Sequence, residues 1–460
     1  MQEEVSLDVP FDNRYNEYMF DEHFAAQLPQ DTQKETIAAI VRFLREGSSC
    51  QLVGIPGGGR STALGLLVYN RKVREKHLQE LQQTTHLVLV DFAEIRNRSL
   101  FDVMKYLFLN LTESLRERGM KEENIAVGDI FREHLQFQDE LVLFQGFKEA
   151  IDYMALEKKL STVFLFSRFE EYVPTVTADF FTNMRILRSR AKYRFSIVFS
   201  VTRPLEDTLE SGLLADYYEF IAGHTIFMPF ADETLSTFWL THIEKMTGRK
   251  MPKTLIKEVL QLTGGHGKLT KLAFESLFAQ KDTPKDVRAF LLMQKTITAA
   301  LKSFWEDFSP AEQADLREEA FSDTAVAQYL EQVGVIQNKK ITIPLLSDYI
   351  ASDAVATAPS SQKIVYDENT NTIHKGLAML SDQLTASEFR LLRYLIQNEG
   401  RVIERDELIS VVWEENKSTA GITDQAVDQL IFRLRRKIEE DANHPVHLQT
   451  VKGRGFTFSA

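Results

Sequence analysis

Two stretches of this chain hold polar groups at spacings that could do chemistry. Near the C-terminus, Gln425, Gln429, Arg433 and Arg436 recur at helical intervals. At about 100° per residue they share one face, opposite Val427, Leu430, Ile431, Leu434 and Ile438. Carboxamides and guanidiniums are the side chains that pair bidentately with adenine and guanine edges in a major groove. Arg435 and Lys437 flank the stripe where phosphates would lie. The competing reading is an ordinary amphipathic helix with a solvated basic face. Far upstream stands Gly54-Ile-Pro-Gly57-Gly58-Gly59-Arg60-Ser61-Thr62, between an apolar strand and an apolar helix. Glycines there let backbone N–H groups converge on phosphate oxygens, and the helix N-terminus adds its dipole. The spacing is that of a phosphate-binding loop, with Arg60 in the lysine position and Ser61 where a nucleotide's Mg2+ would be held. A glycine-rich turn without a ligand is the alternative.

The elements that must carry the Gln/Arg stripe are legible around it. Thr385-Ala-Ser-Glu388 has capping-box spacing, with Leu384 and Phe389 placed as a hydrophobic staple. The helix it opens ends at Asn398-Glu-Gly400. A second helix is expected over 405–413 and the stripe-bearing third over 423–440. A β-ribbon follows: 447–450, a turn at Lys452-Gly-Arg454-Gly455, and a return over 456–458. This order, with Gly400-Arg-Val-Ile-Glu-Arg-Asp-Glu-Leu408 and Gln449-Thr-Val-Lys-Gly-Arg-Gly-Phe456, resembles the winged-helix DNA-binding domain of OmpR/PhoB-type response regulators. The resemblance covers about the last hundred residues. It implies that the third helix enters the major groove of double-stranded DNA, with Gln425, Gln429, Arg433 and Arg436 facing bases. Lys452 and Arg454 would sit on a wing in the minor groove. Segments 363–366 and 372–374 would form the family's small N-terminal sheet. RNA polymerase is a further partner in that family, but the acidic Glu414-Glu415 loop departs from the pattern and argues against that contact here.

Around the phosphate loop, apolar strands are expected at 50–53, 87–90, 163–166 and 196–200, separated by helical stretches. That alternation indicates a largely parallel α/β sheet. Catalytic acids for nucleotide hydrolysis belong at the end of the third strand, but Ser167 stands in the usual aspartate position. Glu170 and Glu171 follow, placed to hold Mg2+ through water or to orient an attacking water; a solvated helix start is the alternative. Arg203, after the fourth strand, could touch a γ-phosphate. Leu262-Thr-Gly-Gly-His266-Gly-Lys-Leu resembles the Gly-Gly-His-Pro lid signature of STAND and origin-recognition-like P-loop ATPases, with Gly267 replacing proline. Pro229 stands where that group's lid begins and packs on adenine. Residues 12–350 thus resemble a STAND or archaeal-type AAA+ ATPase, implying ATP or ADP as ligand. Two altered catalytic positions, Arg60 and Ser167, put hydrolysis in doubt.

The expected architecture is an α/β P-loop ATPase core with a helical lid, followed by two winged-helix domains. Its parts are a lead-in (1–30), core (31–230), lid (231–300), small winged helix (301–350), linker (351–362) and DNA-binding winged helix (363–460). A formal charge of -12 excludes a nucleic-acid binder over the whole surface and confines DNA affinity to one module. The single cysteine excludes an intrachain disulfide and a cysteine-rich zinc site. With no secretory signal or apolar span expected, the chain reads as cytoplasmic with no membrane contact. The leading expectation is a transcription regulator whose winged helix is switched by nucleotide, with homo-oligomers linking DNA sites. An active DNA-associated ATPase and a nucleotide-free scaffold stay open.

Overall fold

The computed structural model describes residues 23–209, 213, 217–218, 221, 223–319, 321, 325–356, 363–368, 371–375, 378–381, 384–412, 424–439, 445–451 and 454–459. The chain divides into two compact units, Met1–Tyr349 and Ile350–Ala460.

In the first unit, β1 (Cys50–Val53), β2 (Thr85–Asp91), β3 (Ser161–Ser167), β4 (Phe195–Val201) and β5 (Thr225–Phe227) make one parallel sheet, in the order β2-β3-β4-β1-β5. Every position of β4 and all but Ser161 of β3 are buried, as expected of strands covered by helices on both faces. Phenylalanines fill one side: Phe166 and Phe169 meet Phe199 edge-on at 5.3 and 4.8 Å between centroids. The expected strands are present, and the short β5 on the far side of β1 is an addition. Its apolar run is only three residues long and carries no periodic signal of its own. The glycine loop leaves β1 with the ends of β4 and β5 on either side, since Gly54 N–H donates to Val201 O and Met228 N–H to Val53 O. This carboxyl edge of the sheet is where open α/β folds bind ligands.

The helices Glu233–Thr247, Lys253–Thr263 and Gly267–Phe278 form the lid. Lys295–Glu306 runs through position 300, where a boundary was expected, so no break falls there. Pro310–Glu318, opened by a Ser309–Glu312 capping box, is followed by Ala325–Gln332, the hairpin of β6 (Ile336–Gln337) and β7 (Lys340–Ile341), and the helix Pro344–Ala356. Residues 351–356, expected as linker, are therefore helical; the alanines that suggested a linker are also the best helix formers.

The lid is docked on the glycine loop. His266, the N-cap of Gly267–Phe278, accepts Leu269 N–H on Nδ1 at 3.3 Å and donates from Nε2 to Pro56 O at 2.9 Å. Lys268 N–H donates to Gly57 O at 3.2 Å. Gly57 is required twice over: its φ is +75°, and a Cβ would stand 2.9 Å from both His266 and Lys268.

The second unit holds β8 (Ile364–Asp367), β9 (Thr372–Lys375) and β10 (Ala378–Met379) in one antiparallel sheet, then helices Ala386–Gln397, Arg405–Val412 and Asp424–Ile438. The wing strands β12 (Leu448–Val451) and β13 (Gly455–Phe458) join β11 (Val402–Ile403) in the order β11-β13-β12. Val427, Leu430, Ile431, Leu434 and Ile438 are buried with Leu391, Leu392, Leu395, Phe456 and Phe458 in one core. Glu388 closes the capping box by accepting Thr385 N–H at 2.8 Å, and the same carboxylate accepts Lys437 Nζ at 2.6 Å.

Two pH responses follow from these contacts. Burial pushes the Glu388 carboxyl up, but donation from Lys437 and Thr385 outweighs it and holds the group below the usual carboxylate range. Its contribution is therefore present above the unfolded carboxyl's pKa and lost as pH falls through the folded one. Glu388→Ala should cost about 1–3 kcal/mol. Faster amide exchange along Ala386–Gln397 reads that loss, and unchanged exchange would refute the role. For His266, burial pushes the imidazole down to about 4. The unfolded chain then takes up the proton first, so lid docking weakens as pH falls below about 6.5, by up to about 3 kcal/mol near pH 4. A melting-temperature profile over pH 7 to 4.5 should lose that slope in His266→Gln; an identical slope in both proteins contradicts the assignment.

Candidate DNA-reading face and phosphate loop

The third helix of the second unit, Asp424–Ile438, separates its polar groups into two sets. Gln429, Arg433 and Arg436 are exposed, on the face opposite the core. Arg454, on the wing turn, is exposed too. The other charged groups are tied into the domain. Arg435 donates to Leu448 O at 2.9 Å and to Thr450 Oγ1 at 2.8 Å, fastening the helix to β12. Lys437 is held by Glu388, and Asp428 pairs with Arg405. Glu439 accepts the N–H groups of Val446, His447 and Leu448, while Lys375 caps Ile438 O at 2.9 Å. Arg435 and Lys437, expected beside phosphates, thus each make intradomain bonds as well. Their helical angle was readable in the sequence; the nearness of β12 and of Glu388 was not. The side chain of Gln425, all of Lys452 and the Glu414-Glu415 loop lie outside the described residues.

Beside the glycine loop, the Arg60 stem lies over Gly54 and the side chain is only 9% exposed. It forms a forked pair with Glu170, Nη2 to Oε1 at 2.7 Å and Nη1 to Oε2 at 3.3 Å. Glu171 pairs with Arg96 at 2.6 Å, and Arg168 pairs with Asp91. Both acids expected to serve a metal or a water are thus neutralised by arginines. Ser61 Oγ lies 3.2 Å from Ser167 Oγ, so the two positions that would share a magnesium ion share a hydrogen bond. Magnesium at such sites is held through carboxylates. The residues here do not fit it, and no group of three or more metal-binding side chains occurs among the described residues. Arg203 forks onto Glu312, with Nη2 to Oε2 at 2.6 Å, and donates to Asp307 O at 2.7 Å. Tyr329 donates to Thr202 O at 2.8 Å beside it.

A nucleotide's phosphates and base fit the residues better than a metal does. The helix Arg60–Tyr69 begins at Gly59 (φ +112°) without a side-chain cap, so its first-turn N–H groups, at Ser61 and Thr62 among others, are of the kind that can receive a phosphate. Beside it Gln33 is 5% exposed, in left-handed backbone (φ 54°). Its Nε2 has no partner and would lie 3.0 Å from a Cβ at Gly59. The neighbouring Thr32 hydroxyl is also buried and unsatisfied. Buried donors are normally paired, and a purine's ring nitrogens supply acceptors of the right kind. Gln33 N–H is held by Asp232, the N-cap of the first lid helix, at 2.6 Å. Pro229, expected on the base, is exposed, while Met228 and Phe230 beside it are buried against Gly59 and Gly58. Lys268, whose side chain crosses Gly57, and Gln33 were not singled out in the sequence. Each is brought to the loop by chain far from it, and neither belongs to the loop's own spacing.

Residues 382–458 match the family described as transcriptional regulatory protein, C terminal. Among curated relatives, the sensory transduction protein RegX3 of Mycolicibacterium smegmatis is 48% identical over 73 residues, covering 16% of this chain and 31% of that protein. The alkaline phosphatase synthesis transcriptional regulatory protein PhoP of Bacillus subtilis is 45% identical over 74 residues, 16% of this chain and 30% of that protein. The chain thus spans 31% and 30% of these relatives' own lengths. Among solved structures, the Klebsiella pneumoniae RstA DNA-binding domain in complex with the RstA box is 26% identical, at a TM-score of 0.19, covering 21% of this chain and 90% of that one. The Walker-type ATPase of Pyrococcus abyssi is 14% identical at a TM-score of 0.44, covering 69% and 95%. With its capped first helix, exposed Gln/Arg face and three-stranded wing sheet, the segment 382–458 is a domain of the transcriptional regulatory protein C-terminal family.

Proposed function

We propose that the chain is a transcription regulator that reads double-stranded DNA through the helix Asp424–Ile438 and is controlled by nucleotide bound at the loop Gly54–Thr62. The observation that carries the reading is the division of that helix. Its apolar face and flanking charges are consumed within the domain, and Gln429, Arg433 and Arg436 are left to solvent as base-pairing groups. An overall charge of -12 makes that local basic face the place where a polyanion is accepted. Cytoplasm is the compartment this reading implies. A homo-oligomer would join two reading heads and raise affinity through linked binding.

The nucleotide half rests on the uncapped helix start and the orphaned Gln33 amide. Arg60 is committed to Glu170, and the Lys268 stem lies against the loop at Gly57. ATP or ADP is expected to bind without a carboxylate-held magnesium, with Glu170 and Glu171 occupied elsewhere and turnover slow or absent. Control would run through Arg203: a terminal phosphate competes with Glu312 for its guanidinium, loosening the helix Pro310–Glu318 from the sheet edge. Such a ligand shifts the equilibrium only by its differential affinity for the two arrangements.

Arg433→Ala should weaken binding to a selected duplex by about 1–3 kcal/mol and relax the preference at one base position. Anisotropy titrations at fixed salt measure this, and equal losses on selected and random duplexes would overturn the role. Lys268→Ala should lower ATP affinity at least tenfold in calorimetry, whereas Arg60→Ala should act mainly on stability. If nucleotide controls the DNA-reading domain, ATP must change DNA affinity by the same factor as DNA changes ATP affinity. No heat with millimolar ATP or ADP would remove nucleotide control and leave DNA reading standing. Steady ATP turnover abolished by Arg60→Ala would instead support a working ATPase.

A further inference from the structure

The exposed face of the helix Asp424–Ile438 is not wholly polar. Phe432 stands three residues after Gln429 and four before Arg436, so the three share one face, and Phe432 is 48% exposed. Helical geometry puts the ring between Gln429 and Arg436 along the axis and to one side of them around it, about 60° from Gln429 and about 40° from Arg436. A large aromatic side chain held in water amid amide and guanidinium groups loses hydration cost when a partner covers it.

Resting on the DNA-reading proposal, we infer that Phe432 is a specificity-determining contact to the C5-methyl group of a thymine. In the major groove the base edges present hydrogen-bond donors and acceptors, and thymine's methyl is the apolar feature among them. Gln429 and Arg436 answer the polar edges; the ring between them answers the methyl. Phenylalanine loses little conformational freedom when it is covered, because it turns about two torsions only. Charge complementarity favours DNA over a second copy of this chain as the occupant. Arg433 and Arg436 flank the ring, and bringing two such faces together would oppose like charges.

The test uses the full chain. Duplexes are first selected from a random pool, and each thymine of the selected site is then replaced singly by deoxyuridine, which removes the methyl and keeps the pairing. At one thymine per bound domain, the replacement should weaken wild-type binding roughly threefold to fivefold, the value of one buried methyl group. Phe432→Ala should weaken binding to the thymine duplex by at least as much and show no further loss on deoxyuridine. Phe432→Leu should restore part of the discrimination. Indifference of the wild type to deoxyuridine at every thymine would overturn the inference, as would a Phe432→Ala protein that still discriminates. A Phe432→Ala protein that loses self-association in sedimentation but keeps the thymine preference would assign the ring to a protein contact instead. Enrichment of no sequence at all would remove the DNA-reading proposal itself, an outcome distinct from the other three.

Discussion

A guanidinium drawn out of water needs acceptors for its donors, and at the carboxyl edge of the parallel sheet buried Arg60 and half-buried Arg203 each take a carboxylate. Arg60 takes Glu170 from just beyond β3, and Arg203 takes Glu312 from a helix outside the sheet. Removing a charge from water is expensive unless the new site pairs it with good geometry, and both pairs are forked, two nitrogens to two oxygens. Asp307 lies within electrostatic reach of both arginines, and burial raises its carboxyl above the usual range. The edge is thereby balanced without any bound ion. An anion that settles there competes with carboxylates already in place, which is the energetic condition for a switch between two arrangements.

Docking of the lid follows from the same economy of backbone groups. Pro56 and Gly57 offer their carbonyls to the lid, and His266 and Lys268 donate to them. The histidine is neutral because it is buried, and being neutral it accepts at one nitrogen while donating at the other. One ring thus begins a lid helix and fastens it to the loop.

How much of this was legible in the sequence varies with the range of the interaction. The strands of the sheet, the Thr385–Glu388 capping box and the apolar face of the helix Asp424–Ile438 are local patterns, and local patterns survive folding. The two-residue strands β10 and β11 left no periodicity to see. Residues 351–356 looked like linker by composition but continue a helix, because alanine serves both. The partners of Glu170, Arg203 and Arg435 come from chain segments far away or from backbone atoms. No spacing rule reaches that far, so the roles suggested for those residues followed motif position while their hydrogen bonds followed packing. Gln33 and Lys268 escaped notice for the same reason.

The two hydrogen bonds from Arg435 to β12 have a consequence for how target sequences can vary. On the proposed DNA-reading role, a helix pinned to its wing cannot slide or tilt independently, so the protein would set the interval between the grooves the two enter. Target sites would then be free to differ in base identity, yet insertion of a single base pair between those grooves would displace one contact by a full step along the duplex. Lengthening the spacing would require changing the fold rather than the surface.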